Sequence, residues 1–556
     1  MTITEPPPTE LKEALEEATA GAYAPKTRGV ATLLSTRLST GDSALLGRLW
    51  IFCGIAFGVF TFVIALLLGA ERLGSAAIDI FSGHRSHFQF FTLYRVSLVL
   101  LCVVPLFIGL ATAVVPQQIG ARSVAYPRLA TAAFYTWLIA AGIMLASWGI
   151  DGGLVPGGQQ EATELSLLSI GLLAIALTAA SLTIVGTVIL QRSEQFQWLS
   201  HVPYFSWAML IAGGLWIVSF PILLADVVVM WVDARGVTAV RYGLGENLFA
   251  QIAWIFDQQQ VFGWSLPVLG IMGDALAGNM RANTGGSPRF MPEPDYISTD
   301  LSDFPGQRRL QGTAKFVLSL FGIVAFGGAL NGFYTPGYTS APVFVVAAFV
   351  VVLILLALTR PWGQMAKAQP PRITPQLAIA TMGFLLLLGA GVLASIRNLG
   401  RLVGGLRIFS DDANWLTNLN NFTDPFDDLV GTTAASAVLH TALLAALLGI
   451  IAGLYMWAPV IFGKKLASPV GALSGLLILG GTLLYAVSEL VSGFLGQMDR
   501  PAASAAENAV RGNYLGGGIE AANAVSFLGT IAILAGFTFV ALNLLAVLRP
   551  AKASDK

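Results

Sequence analysis

The feature that most constrains this chain is a series of apolar runs long enough to cross a lipid bilayer. A transmembrane helix needs about 20 consecutive, mainly apolar residues, and runs of this length recur about twelve times along the 556 residues. Hydrophobic residues make up 55% of the chain and charged residues 11%, which excludes an ordinary soluble protein. The sequence therefore predicts an all-α integral membrane protein with about twelve transmembrane helices. The predicted spans lie near residues 46–68, 90–115, 129–148, 165–190, 205–231, 248–272, 314–334, 341–359, 377–396, 434–462, 469–494 and 524–548.

The basic residues predict how the chain is oriented in the membrane. Loops on the cytoplasmic side carry an excess of lysine and arginine, and an even number of spans puts both termini on one side. We therefore expect a cytoplasmic tail at 1–40, a membrane domain at 41–549 and a second cytoplasmic tail at 550–556, in the cytoplasmic membrane of a prokaryote. Acidic and basic residues balance at 31 each, so no nucleic-acid partner is expected. In this topology every lysine lies on or beside the inner side: Lys12, Lys26, Lys315, Lys367, Lys464, Lys465, Lys552 and Lys556.

Cysteines and loop histidines give weak signals. Cys53 and Cys102 both lie inside apolar runs, which favours small buried hydrophobes over a disulfide. His84 and His87 are three residues apart before the second span and could share a helix face and a metal, although loop histidines are more often plain polar surface.

The segment 94–134 carries the most specific motifs of the chain. Pro105 and Gly109 lie in one apolar run, VP at 115–116 and IGA at 119–121 follow it, and PRL at 127–129 opens the next run. This pattern resembles the junction of the second and third transmembrane helices of heme-copper oxidase subunit I. The resemblance extends over most of the membrane domain and implies a twelve-helix bundle of that type.

The resemblance also locates the positions at which the family binds its cofactors. The motif TLYR at 92–95 puts Tyr94 where the family has a heme-ligating histidine. In WIFDQQQVFGWSLP at 254–267, Gln258 replaces a copper-ligating histidine, Gln260 a proton-transferring glutamate and Phe262 a catalytic tyrosine. A carboxamide is a poor ligand for a copper ion, which favours imidazole. No catalytic residue is therefore predicted.

The remaining ligand positions are altered as well. Asn331 and Gly332 occupy the places of two further copper-ligating histidines. In the tenth helix, a one-residue slip of the motif puts His440 at one heme-ligand position and Val438 at the other. His440 is thus the possible residual heme ligand. Heme binding is expected to be absent or limited to this residue, copper is not expected, and no other metal site is predicted.

Several charged residues lie in or near apolar spans, where a charge at the helix centre costs about 2.5–3.5 kcal/mol even on the mild insertion scale. These are Arg95, Asp226, Asp257 and Glu489. Each should be paired, face water or lie near an interface. They could form a polar or proton-conducting path, or they could be structural pairs that occupy the former cofactor space, which is the interpretation we favour.

These observations predict an oxidase subunit I-like membrane protein without activity of its own, acting as a structural or accessory subunit of a respiratory or electron-transfer complex. Its partners would be the lipid bilayer and other membrane subunits. Two alternatives remain open: a divergent heme-containing terminal oxidase or nitric oxide reductase-like enzyme, and a transporter or proton-conducting protein on the same scaffold. The long loops at 278–311 and 397–430 could be docking surfaces.

Overall fold

A computed structural model describes most of the membrane domain. Both predicted tails, Asp257, Asn331, Gly332 and most of the two long loops lie outside the described residues. The described residues are 42–73, 80–81, 84–150, 153–154, 159–196, 198–235, 252–256, 258–283, 305–326, 341–399, 429, 431–499 and 517–548.

Helices account for nearly all of this part of the chain. Their order is α1 (Ser43–Glu71), α2 (His84–Val96), a π-helical segment (Ser97–Val103), α3 (Val104–Gln118), α4 (Pro127–Gly149), α5 (Gln160–Leu190), α6 (Tyr204–Ala234), α7 (Gln258–Ser265), α8 (Pro267–Asn283), α9 (Pro305–Ala325), α10 (Ala341–Ala368), α11 (Pro375–Arg397), α12 (Ala434–Phe462), α13 (Ser468–Phe494) and α14 (Gly517–Leu548).

Eleven spans in the described part of the chain are long and apolar enough to cross a membrane. Of the twelve predicted spans, the one not among these begins in α9, which carries Arg308, Arg309 and Lys315. The predicted span at 314–334 continues into residues outside the description. The helical membrane fold is confirmed.

Local sequence explains where several helices begin and end. The Asp42 side chain accepts a hydrogen bond from the Ala44 backbone N–H at 2.9 Å and caps α1. Thr374 caps α11 in the same way, with Pro375 at the first helical position. Gly463 ends α12 in a left-handed conformation, with φ of 71°.

Three spans form the centre of the bundle. The spans Ser86–Gln118 and Ala434–Phe462 are buried over their whole apolar window, and Gln259–Met280 over 89% of it, whereas the other spans are 39–56% buried. Outer helices expose large apolar side chains such as Ile139 and Leu353, as expected for surfaces that face lipid. Most of the predicted cofactor positions that the structure describes therefore lie on inner helices.

The π-helical segment Ser97–Val103 lies immediately before Pro105 in the inner span. The Val104 backbone N–H donates to the Val99 carbonyl, five residues back. Such wide turns are frequent at functional sites, and this one follows Tyr94 and Arg95 within the same span. The two cysteines are free and at least partly buried, as predicted.

The glycine of the proline–glycine motif in this span, Gly109, lies where α3 packs closely against α1. A Cβ atom added to Gly109 would lie 2.8 Å from the Trp50 Cβ, and one added to Gly47 would lie 2.7 Å from the Gly109 carbonyl oxygen. Glycine at both positions lets α1 and α3 approach backbone to backbone, as small residues do in membrane bundles.

Candidate functional site

A cavity of about 320 Å³ lies between α1, α2, α12, α13 and α14. It contains two of the predicted cofactor positions, Tyr94 and His440, and two of the predicted intramembrane charges, Arg95 and Glu489, lie on or beside its wall. Its lining also includes Phe62, Ala65, Leu68, Arg72, Phe91, Ser436, Leu444, Tyr485, Asp499, Asn523, Ser526, Thr530 and Ile533.

Tyr94 and His440 are in direct contact. Their rings are stacked, with centroids 5.5 Å apart and planes inclined by 11°. Tyr485 contacts the imidazole from another side, with its ring centroid 4.7 Å away. The imidazole therefore packs between two tyrosine rings from α2 and α13.

The hydrogen bonding of His440 defines its tautomer. Its Nδ1 lies 2.7 Å from the Ser436 carbonyl oxygen. Because a carbonyl only accepts, Nδ1 must carry the proton, and in the neutral ring Nε2 is then an acceptor. Nε2 is buried and has no hydrogen-bond partner among the residues that the structure describes.

Arg95 is paired, as expected for a charge in an apolar span. Its guanidinium forms an ion pair with Asp499 at 3.0 Å and donates to the Ser436 hydroxyl at 2.7 Å. It also lies over the Phe91 ring, 4.8 Å from the centroid. Its Nε is buried and unpartnered among the described residues.

Glu489 is the centre of a second charged network at the same end of the cavity. It forms an ion pair with Arg72 at 2.7 Å and accepts from the Ser526 hydroxyl at 2.8 Å. Arg72 also donates to the Asn523 side-chain carbonyl at 3.1 Å. The sequence analysis missed Arg72, although a basic residue directly after an apolar run, opposite an acidic residue inside another, is a signal that could have found it.

The other intramembrane candidates lie elsewhere. Asp226 is buried in α6, where its carboxylate accepts a hydrogen bond from the Trp254 indole at 2.8 Å. Asp257 lies outside the described residues. The predicted charges therefore do not all meet: Arg95 and Glu489 belong to the cavity, whereas Asp226 has a local partner.

The described side chains of α7 near the predicted copper-site positions pack against neighbouring helices. Phe262 packs edge-on against Phe321, with ring centroids 6.2 Å apart. The Trp264 ring, nearby on α7, stacks on Phe220 at 5.3 Å. Gln260 is bonded through its amide nitrogen to the Ser219 hydroxyl at 3.2 Å. Aromatic packing thus occupies this part of the core.

Val438 is a buried apolar residue of α12. The side chain of Gln258 is not described, and Asn331 and Gly332 lie outside the described residues. The structure therefore describes only part of the region that the resemblance assigns to copper. Within the described residues, no group of three or more His, Cys, Asp or Glu side chains could hold a metal ion.

A heme does not fit between Tyr94 and His440 in this arrangement. A flat ring between two others needs about 7 Å, twice the contact distance of about 3.5 Å between carbon atoms. The two ring centroids are only 5.5 Å apart, and the ring planes are nearly parallel. The ring faces, and not the ligating atoms, therefore point toward each other. Two axial ligands must instead direct an oxygen or nitrogen atom at a shared iron.

A second buried polar cluster, which the sequence analysis missed, joins α3, α6 and α8. The Asp274 carboxylate accepts from the backbone N–H groups of Tyr204 and Phe205 at 2.9 and 3.1 Å, and from the Gln118 amide at 2.8 Å. Carboxylates are favoured at a helix N-terminus. Asp274 therefore anchors the start of α6 and has a structural role.

The fold defines the class of this protein. It is a helical membrane bundle with three inner spans, and the motifs that resemble those of the family lie on these spans. The family described as "Cytochrome C and Quinol oxidase polypeptide I" matches residues 45–286, which include α1 to α8. The family model thus covers the first half of the membrane domain, and over this part the chain is similar to the heme-copper oxidase subunit I family.

Three relatives illustrate the degree of similarity. The chain is 24% identical to "Probable cytochrome c oxidase subunit 1-beta" of Nocardia farcinica, over 79% of this chain and 69% of that protein. It is 27% identical to "Probable cytochrome c oxidase subunit 1-alpha" of Streptomyces avermitilis, over 43% of each chain. It is 22% identical to "Cytochrome c oxidase subunit 1" of Bacillus subtilis, over 94% of this chain and 76% of that protein. The match to the Streptomyces protein thus spans less than half of its length.

Proposed function

We propose that this protein is an accessory subunit of a respiratory or electron-transfer complex in the cytoplasmic membrane, and that it does not itself reduce oxygen. The observation that carries the proposal is the direct stacking of Tyr94 on His440. The resemblance assigns Tyr94 to a heme-ligand position, and it assigns His440 to another after a one-residue slip of the motif. A chain that reduces oxygen in this family's manner would need that space for a cofactor.

The surroundings of these residues support the same proposal. The charges in and beside the cavity are bonded to each other rather than left for a bound group: Arg95 to Asp499 and Arg72 to Glu489. On α7, Gln260 and Phe262 supply neither an imidazole nor a phenol, and their neighbours fill the space around them. In both regions these side chains are bonded to, or packed against, other protein side chains.

The relatives support the assignment to a complex. Several of them are named as subunits of cytochrome c oxidase. A chain that keeps the same bundle presents similar outer helix faces to a membrane, so we propose that it assembles with other membrane subunits of that kind.

The decisive test is the visible absorption spectrum of the protein purified from its native host in mild detergent, recorded oxidised and dithionite-reduced, with copper quantified on the same sample. We expect no Soret band and no stoichiometric copper. A cytochrome c oxidase purified by the same procedure is the positive control. A band that corresponds to about one heme per chain would overturn the proposal, as would oxygen consumption with a c-type cytochrome or a quinol.

One observation favours a second candidate function, a proton-conducting or transport protein. The cavity contains buried acidic and basic groups at one end of the bundle, and such residues often mark ion pathways. Asp499→Asn would remove the acidic partner of Arg95. Proteoliposomes with this variant and with the unchanged protein should show equal passive proton flux if the protein is an accessory subunit, whereas a clear difference would favour conduction.

A further inference from the structure

We infer that the cavity beside Tyr94 and His440 is a binding site for an uncharged amphiphile, a molecule with an apolar body and a hydroxyl head. This inference does not depend on the accessory role. The volume of the cavity, about 320 Å³, lies at the lower end of the range of about 300–1,000 Å³ that ligand sites occupy.

The cavity has a polar end and an apolar end. Arg72 follows the last residue of α1, Asn523 lies near the start of α14, and Asp499 follows α13, so these polar groups gather at one end of the bundle. Phe62 and Ile533 line the cavity further along the same helices. At about 1.5 Å per residue, Phe62 lies about 15 Å deeper than Arg72 along α1. An elongated molecule with one polar end matches this gradient.

The charges of the polar end favour an uncharged ligand. Arg95 is neutralised by Asp499, and Arg72 by Glu489. A charged head group would have to break one of these buried pairs or remain unpaired, and both are costly in a membrane interior. A head group that forms hydrogen bonds without a net charge avoids this cost.

Two buried polar atoms favour a hydroxyl over other neutral groups. His440 and Arg95 both line the cavity. His440 Nε2 is an acceptor and Arg95 Nε is a donor, and neither has a partner among the described residues. Both atoms are covered in this structure, so we expect a small side-chain movement to open them to a head group. A hydroxyl can then donate to His440 Nε2 and accept from Arg95 Nε, whereas a carbonyl or an ether only accepts. Buried polar atoms without partners are rare in folded proteins, which is why these two indicate a ligand.

The experiment uses the full chain in phosphatidylcholine nanodiscs and a photoreactive probe, 1-dodecanol with a diazirine in its chain. After illumination, labelled residues are mapped by peptide mass spectrometry. We expect labels on the cavity walls, and we expect unlabelled 1-dodecanol to compete for this labelling more strongly than dodecane or dodecyltrimethylammonium.

Two variants that fill the cavity, Ala65→Phe and Thr530→Phe, should each reduce the labelling strongly. The matched control is Thr538→Phe, two turns further along α14. The hydroxyls of Thr530 and Thr538 both donate to the carbonyl four residues back, at 3.0 and 2.7 Å, but only Thr530 lines the cavity. The control should label like the unchanged protein, and size-exclusion profiles verify that all variants fold.

His440→Leu tests the recognition of the head group. It should remove most of the preference for 1-dodecanol over dodecane, by roughly fivefold to tenfold if one buried hydrogen bond is lost. The inference is overturned if the probe labels only lipid-facing helices or if both cavity-filling variants label normally. It is also overturned if alcohol and hydrocarbon compete equally, because the cavity would then not recognise a hydroxyl head.

Discussion

The two regions in which this family holds its cofactors have different structures in this chain. Around α7, aromatic rings fill the core: Phe262 packs on Phe321 and Trp264 on Phe220. Between α1, α2 and α12 to α14, a cavity remains, with ion pairs at one end. Close apolar packing predominates in the first region and internally compensated charges in the second, and the second region leaves room for another molecule.

The largest effect should come from breaking a charge pair of the cavity. Glu489→Ala leaves Arg72 without its carboxylate, and removing one member of a buried pair costs about 3–5 kcal/mol. Because the Arg72 side chain is 25% exposed, we expect a loss near the lower end of this range. We expect the free energy of unfolding, measured by detergent–denaturant titration, to fall by about this amount. The control is Glu164→Ala, which removes an ion pair with Arg235 whose side chain is 52% exposed.

This control should change the free energy of unfolding by less than about 1 kcal/mol, because exposed pairs contribute little. Equal effects of the two substitutions would mean that the cavity network is not a buried electrostatic unit. Charge pairing would then not distinguish the cavity from the region around α7.

The next test compares packing in the two regions directly. Phe262→Ala should destabilise the protein by about 3–5 kcal/mol, because the closely packed core around it cannot collapse into the space. Leu444→Ala, at the cavity wall, should lie near the lower end of about 2–5 kcal/mol, since one side of Leu444 already borders open space. If Leu444→Ala is the costlier substitution, the cavity is not open in the folded protein.

The smallest effect is expected at His440. His440→Leu removes the bond to the Ser436 carbonyl and part of the tyrosine stacking, but it also removes a buried nitrogen that has no partner among the described residues. The lost contacts destabilise the protein and the removal of the unpartnered nitrogen stabilises it. The free energy of unfolding should therefore change by no more than about 1 kcal/mol. A loss of several kcal/mol would show that His440 holds a bound group essential for folding.

Much of the fold could be predicted because each span is encoded locally. The length of an apolar run is sufficient to define a membrane helix, and the proline and glycine of 105 and 109 mark where α1 and α3 approach closely. Arg95 and Glu489 were identified as candidates from their residue types, since charged side chains are conspicuous in an apolar run. Tyr94 and His440 were identified from the resemblance to the family motifs.

The partners of these residues could not be predicted, because they come from distant parts of the chain. Asp499 lies outside the predicted spans, but it pairs with Arg95 of α2. Arg72 and Asp274 were missed because both lie just outside the predicted spans at 46–68 and 248–272, and only charges inside an apolar run were taken as candidates.

The sequence by itself determined that this protein is a helical membrane bundle, because bilayer thickness and backbone hydrogen bonding leave an apolar chain few alternatives. The oxidase subunit I type of the bundle was implied by the resemblance of its motifs. Only the tertiary structure decided which buried charges pair, that Tyr94 and His440 stack, and that one region is filled while another stays open. These features depend on side-chain distances of a few ångströms between helices, which periodicity along one helix does not encode.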